Sequence, residues 1–128
     1  MNIPNTHGLG EVLEERFNLE DAIYDNCSNI SILPCGSPNL NPLNLVSSKN
    51  MASVIKKLNE TYEIVFIICT GLNDYQDAVV MSSLVDGVVL VINEEKDRKP
   101  VVRFAINPME QRKANMVGAI LNNRTYVI

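Results

Sequence analysis

Residues 62–71 read YEIVFIICTG, and this stretch decides the fold. From Ile64 to Cys69 the side chains are apolar without alternation, the pattern of a strand covered on both faces inside a parallel sheet. Just upstream, SSKNMASVIKKLNETY places Met51, Val54, Ile55 and Leu58 on one stripe behind a Ser47 or Ser48 cap, which predicts an amphipathic helix. Downstream, YQDAVVMSSLV predicts a helix, DGVVLVIN a second buried strand, DRKPVVRFAINPMEQRKAN a helix and MVGAILNN a third buried strand. Strands alternating with helices are the grammar of a parallel α/β domain, whose ligands sit at the C-terminal ends of the strands. Here that end carries Ile68, Cys69, Thr70 and Gly71, with no carboxylate.

Ahead of this region, Leu9, Val12, Leu13 and Phe17 form one apolar helix face, and Asn18 is positioned to cap a second short helix. Ile30–Leu33 predicts a strand closed by Pro34, followed by a proline-rich loop that runs to Pro42. Pro100 suits the first turn of the last helix, whereas Pro108 falls within it and predicts a kink or break near Asn107.

A length of 128 residues with 46% hydrophobic content suits one domain, residues 1–128. The net charge of −4 is spread without a basic block, so no nucleic-acid footprint is present. Cys27, Cys35 and Cys69 have no metal-ligand or disulfide spacing, and the longest apolar run is far short of the roughly 20 residues of a membrane span. These features lead to the expectation of a cytoplasmic protein.

Several of these segments, taken in order, resemble a known family. LPCGSPNLNPLNLVSSKNM (33–51), YEIVFIICTG and AVVMSSLVDGVVLV (78–91), preceded by GLGEVLEERFNLEDAI and followed by VGAILNN, are similar to the cytoplasmic domain of bacterial tyrosine kinases and their chain-length co-polymerase relatives. Those proteins control export of capsular and exopolysaccharide and are deviant-Walker P-loop ATPases. The resemblance implies an α/β class with a mainly parallel sheet flanked by helices, an incomplete P-loop NTPase fold of the MinD/ParA-like kind.

The departures shape the functional expectation. The phosphate loop G-x-x-x-x-G-K-[ST] does not occur in the sequence, and the family would place it ahead of residue 1. Ile68 stands where the family's magnesium-holding aspartate would be, and a hydrocarbon cannot ligate a hard cation. The C-terminal tyrosine cluster is reduced to Tyr126. The expectation is therefore a non-catalytic regulatory or scaffold protein of exopolysaccharide or capsule production, with no cofactor, no metal and no catalytic residue. Its partner would be a protein of the polysaccharide synthesis and export system, tying it to a membrane-embedded co-polymerase at the inner membrane. The alternative is a subunit of a split ATPase or tyrosine kinase, completed by a chain that supplies the phosphate loop.

Other residues have weaker claims. Cys69 lacks a nearby base and reads as a small buried hydrophobe; the only histidine, His7, lies in a leading turn. Asp74 and Asp77 read as acids at a helix start, Asp86 as a turn residue and NEEKDRKP as a solvated loop. Asn122 matches the family position near the adenine ring and is the one nucleotide-contact candidate. Pro34, Pro38 and Pro42 mark a candidate partner loop. In the family the central strand of the sheet comes from the phosphate-loop segment, so 63–69 and 87–92 would lack their shared neighbour. That gap predicts a homo-oligomer, since open apolar strands seek partners.

Overall fold

A computed structural model of the protein describes residues 3–26, 29–38, 41–71 and 76–123. The chain divides into two compact units, Met1–Ile67 and Ile68–Ile128.

The first unit contains α1 (Leu9–Leu13), α2 (Leu19–Ala22), β1 (Tyr24–Asn26), β2 (Ile30–Ile32), α3 (Pro42–Val46) and α4 (Lys49–Thr61). In α4 the predicted stripe is realised: Met51, Val54 and Ile55 are buried, Leu58 is half-buried, and the Ser48 hydroxyl accepts the Met51 N–H at 3.3 Å. They share this unit's core with Leu13, Leu19 and Ala22. The Asn50 side chain ties α4 to α1 by donating to the Leu13 carbonyl, an orphan acceptor at the end of α1, at 3.0 Å.

α1 ends in a Schellman motif: Glu15 takes a positive φ of 59°, its N–H reaches the Val12 carbonyl, and the Arg16 N–H reaches the Glu11 carbonyl. Asn18 occupies the cap position of α2, but its amide donates to the Asp21 carboxylate at 3.2 Å instead of capping the backbone.

Three expectations for this unit are corrected. Ile30–Ile32 is a strand, yet it lies antiparallel to Tyr24–Asn26 in a hairpin, with Asp25 opposite Ser31 and their side chains bonded at 2.6 Å. Asn29, just ahead of Ile30, takes a positive φ of 59°. The proline-rich loop ends in a helix, since Pro42 starts α3, where its missing N–H costs nothing. Finally, 63–69 forms no strand. No backbone hydrogen bond joins Glu63–Gly71 to another described segment, and Ile64 and Phe66 are exposed instead of buried.

The second unit contains α5 (Asp77–Met81), β3 (Val88–Asn93), α6 (Lys99–Gln111) and β4 (Met116–Asn122). β3 and β4 pair in parallel with α6 as the crossover, from Val88 opposite Met116 to Asn93 opposite Asn122, with a bulge between Val88 and Val89. This βαβ unit is the α/β element that the apolar runs predict.

Gly87 precedes β3 because a Cβ there would meet the Val117 side chain. Asp86 is a turn residue, as expected, and its carbonyl accepts from the Asn115 amide at 2.8 Å. α6 contradicts the expected break near Asn107: it runs on through Pro108 to Gln111, with Pro100 in its first turn. Its inward face, Val102, Ala105, Ile106 and Met109, recurs at helical spacing, and Met109 is buried, so packing offsets the proline. A second Schellman motif closes it, with Lys113 at φ 57° and the Ala114 N–H on the Met109 carbonyl.

The two strands are not covered on both faces as predicted. Val89 and Val91 on β3 and Val117, Ile120 and Leu121 on β4 are exposed. Parallel sheets ordinarily bury both faces, and no third described strand pairs with this one.

Candidate functional site

The segment read as the degenerate magnesium site, Ile68, Cys69, Thr70 and Gly71, is exposed throughout, and Ile68 is 96% exposed. A sec-butyl side chain offers no oxygen to magnesium, so the residue present does not fit the ion the fold implies. Cys69 is exposed, against the expectation of burial. Partial desolvation and the negative charge of Asp77 both push its thiol pKa up, which keeps the sulfur protonated and a poor nucleophile. Asp77 opens α5, and its carboxylate accepts the Ala78 N–H at 3.1 Å, the helix-start role expected of it. Asp74, Tyr126 and Cys27 lie outside the described residues. Among the described residues no group of three His, Cys, Asp or Glu side chains is placed to share a metal ion.

Asn122 ends β4 opposite Asn93, at the C-terminal edge of the parallel pair, and is exposed. Its carbonyl accepts the Glu94 N–H at 3.3 Å. The loop that follows β3 is more ordered than a solvated charge run. The Asp97 carboxylate accepts the Asn93 N–H at 2.8 Å, the Asn93 side chain accepts the Glu95 N–H at 3.1 Å, and the Asn93 carbonyl accepts from Lys96 and Asp97. An Asn followed four residues later by Asp was the signal for this clasp, since short polar side chains satisfy the backbone of tight turns.

Pro34, Pro38 and Pro42 belong to the first unit, whereas Ile68–Gly71 and Asn122 belong to the second. The loop at Pro34–Pro38 is fastened to the start of α1. Its Pro34 and Cys35 carbonyls accept from Leu9 and Gly10 at 2.8 and 2.9 Å, and the Glu11 carboxylate accepts from Gly8 at 2.8 Å and Ser37 at 3.0 Å. Glu11 is only 6% exposed. The Ser37 backbone bond is the main reason its pKa falls to about 2, aided by bonds from the Ser37 side chain and Gly8 and opposed by desolvation. Sequence reasoning missed Glu11. Its signal was half of a capping box: an acid three residues after the cap returns to the cap N–H, while Gly8 has no side chain to reciprocate.

No family model matches the chain. Tyrosine-protein kinase YwqD of Bacillus subtilis is 29% identical over 123 residues, which is 95% of this chain and 52% of YwqD. Among solved structures, the kinase domain of VpsO matches with a TM-score of 0.87 at 30% identity, over 94% of this chain and 60% of that one. The chimerical protein CapA2B2 matches with a TM-score of 0.90 at 28% identity, over 96% and 55%. These likenesses run through nearly all of the sequence, including both units. The chain is similar to bacterial tyrosine-protein kinases along nearly all of its own length, and it spans about half the length of the curated relatives it matches.

Proposed function

We propose that this chain serves capsular or exopolysaccharide production as a non-catalytic regulatory or scaffold protein, working through protein contacts. The observation that carries this reading is Ile68. At the position where the family's pattern holds magnesium by a carboxylate, the side chain is an exposed hydrocarbon. Phosphoryl transfer depends on metal ions that neutralise charge on the phosphates, and Ile68 supplies no ligand for them. Kinship with bacterial tyrosine kinases supports the pathway. On this reading the chain works in the cytoplasm as one domain and reaches the inner membrane through its protein partner; no described helix is long and apolar enough to cross a membrane.

The exposed apolar side chains favour self-association as part of that role. Ile64 and Phe66 project from a segment of the first unit that has no backbone partner among the described residues, and Val89 and Val91 from the parallel pair of the second. Covering such surfaces is the ordinary driving force for assembly. Light scattering at micromolar concentration should report a species larger than a monomer, and a monodisperse monomer would remove this part of the proposal.

The backbone from Glu63 to Gly71, which bonds no other described segment, favours a second reading, a split ATPase or kinase completed by a partner that adds a strand and a phosphate loop. Calorimetric titration with magnesium and ATP separates the two. The scaffold reading expects no heat from the chain alone or with a polysaccharide-system partner. Heat only in the presence of a partner supports the split enzyme, and heat from the chain alone overturns both.

A further inference from the structure

Residues 34–37 lie as a strap across the beginning of α1, and the Gly8, Leu9 and Gly10 N–H groups are satisfied by the strap or by Glu11. The Leu9 and Gly10 N–H groups donate to Pro34 and Cys35, at 2.8 and 2.9 Å. The Glu11 carboxylate, enclosed between helix and strap, accepts the Gly8 N–H with one oxygen and the Ser37 N–H with the other. Between them, the Gly36 N–H donates to the Asn5 side chain at 2.9 Å, and the Ser37 hydroxyl donates to the Thr6 carbonyl at 3.4 Å. The approach is so close that a Cβ at Gly8 would overlap the Pro34 carbonyl and the Gly36 nitrogen. Gly36 is buried at φ 88°, where its missing side chain also leaves room for the Glu11 carboxylate.

We propose that Glu11 is the latch of this strap: its carboxylate holds 34–37 closed on α1, and the strap opens as one unit when the carboxylate is lost, changing how Pro34 and Pro38 are presented. Three features support a latch over a set of independent bonds. Among the described residues, Glu11 is the only side chain that bonds both the helix start and the strap, so it joins two segments 26 residues apart. A carboxylate has acceptors only, so both N–H groups are satisfied at once by charge-assisted bonds, the strong kind. The carbonyl bonds at Pro34 and Cys35 require the strap in register, and Glu11 sets that register from the far end at Ser37.

Amide hydrogen exchange on the full chain tests this without any partner, so the outcome is separate from the scaffold reading. In Glu11→Gln one oxygen becomes an NH2 group that cannot accept. The expected result is that Gly8, Gly10, Gly36 and Ser37 amides exchange at least tenfold faster together, while the amides of α4 from Ser53 to Thr61 keep their protection. Unchanged strap amides overturn the latch, as does acceleration at Ser37 alone, which would mark an isolated bond. If α4 loses protection as well, Asn5→Ala decides: it releases Gly36 but leaves the carboxylate in place. Gly8 and Ser37 then stay within twofold of wild type if Glu11 holds the strap, and their opening with Gly36 overturns the proposal.

Discussion

Stability of the first unit should depend on pH through Glu11, and the dependence can be worked from the structure. The folded carboxyl has a pKa of about 2 against an ordinary 4.5, because two backbone N–H groups and the Ser37 hydroxyl favour its charged form. A depressed folded pKa means that the stabilisation is fully present above the unfolded value and is lost as pH falls through the folded one. The window is therefore pH 4.5 down to about 2. At 1.36 kcal/mol per unit the shift sets a ceiling near 3 kcal/mol. Glu11 is only 6% exposed, but in so small a unit solvent lies just beyond the strap, and discounting for its screening leaves about 2 kcal/mol. The perturbation is Glu11→Gln, and the assay is urea unfolding followed by far-UV circular dichroism between pH 7 and pH 2.5. The variant should be about 2 kcal/mol less stable at pH 7, and the gap should close steadily below pH 4.5 as the wild-type carboxylate is protonated. A gap that is absent at pH 7, or that stays constant down to pH 2.5, would refute the reasoning, because neither can arise from an ionised carboxylate bonded in the folded state.

Further outcomes follow from named contacts. Lys113→Gly and Glu15→Gly each relieve a side chain held at positive φ in a Schellman turn, so each should raise stability by about 0.5–1 kcal/mol in urea unfolding. Ser48→Ala removes the hydroxyl that accepts the Met51 N–H and should cost about 1 kcal/mol by the same measurement. Met109→Ala empties a 3% exposed position under α6, and a loss of about 2–4 kcal/mol is expected, read as a fall in melting temperature. Phe66→Lys places a charge on an 85% exposed position of the unpaired segment and should reduce self-association in light scattering while leaving the circular dichroism spectrum unchanged.

What could be read in advance was what depends on neighbours in sequence. The stripe Met51, Val54, Ile55 and its Ser48 cap located α4 because helix periodicity is a local geometric rule, and the same holds for Asp77 at the start of α5. The apolar runs at 88–93 and 116–122 announced two strands with a helix between them, and a crossover of that length enforces their parallel pairing. That Ile68 offers no oxygen to a metal ion was also plain from the residues, since ligand chemistry belongs to the side chain itself.

Partnership between distant segments was decided only in three dimensions. Whether an apolar run becomes a strand depends on a second backbone within hydrogen-bonding reach; Val88–Asn93 has one in β4, and Glu63–Gly71, equally apolar, has none among the described residues. Pro108 looked like a break, yet α6 continues through it because burial of Met109 on the same face outweighs one missing bond. Glu11 went unremarked in the sequence, and its place between α1 and the strap came from the fold, which brings Ser37 to a carboxylate 26 residues earlier in the chain. Sequence alone determined the amphipathic stripe of α4, the apolar runs and the lack of metal-ligating chemistry at Ile68, because those properties are local. Tertiary structure decided which apolar runs are paired, which remain open and which carboxylate is buried, because each depends on contacts that close long loops.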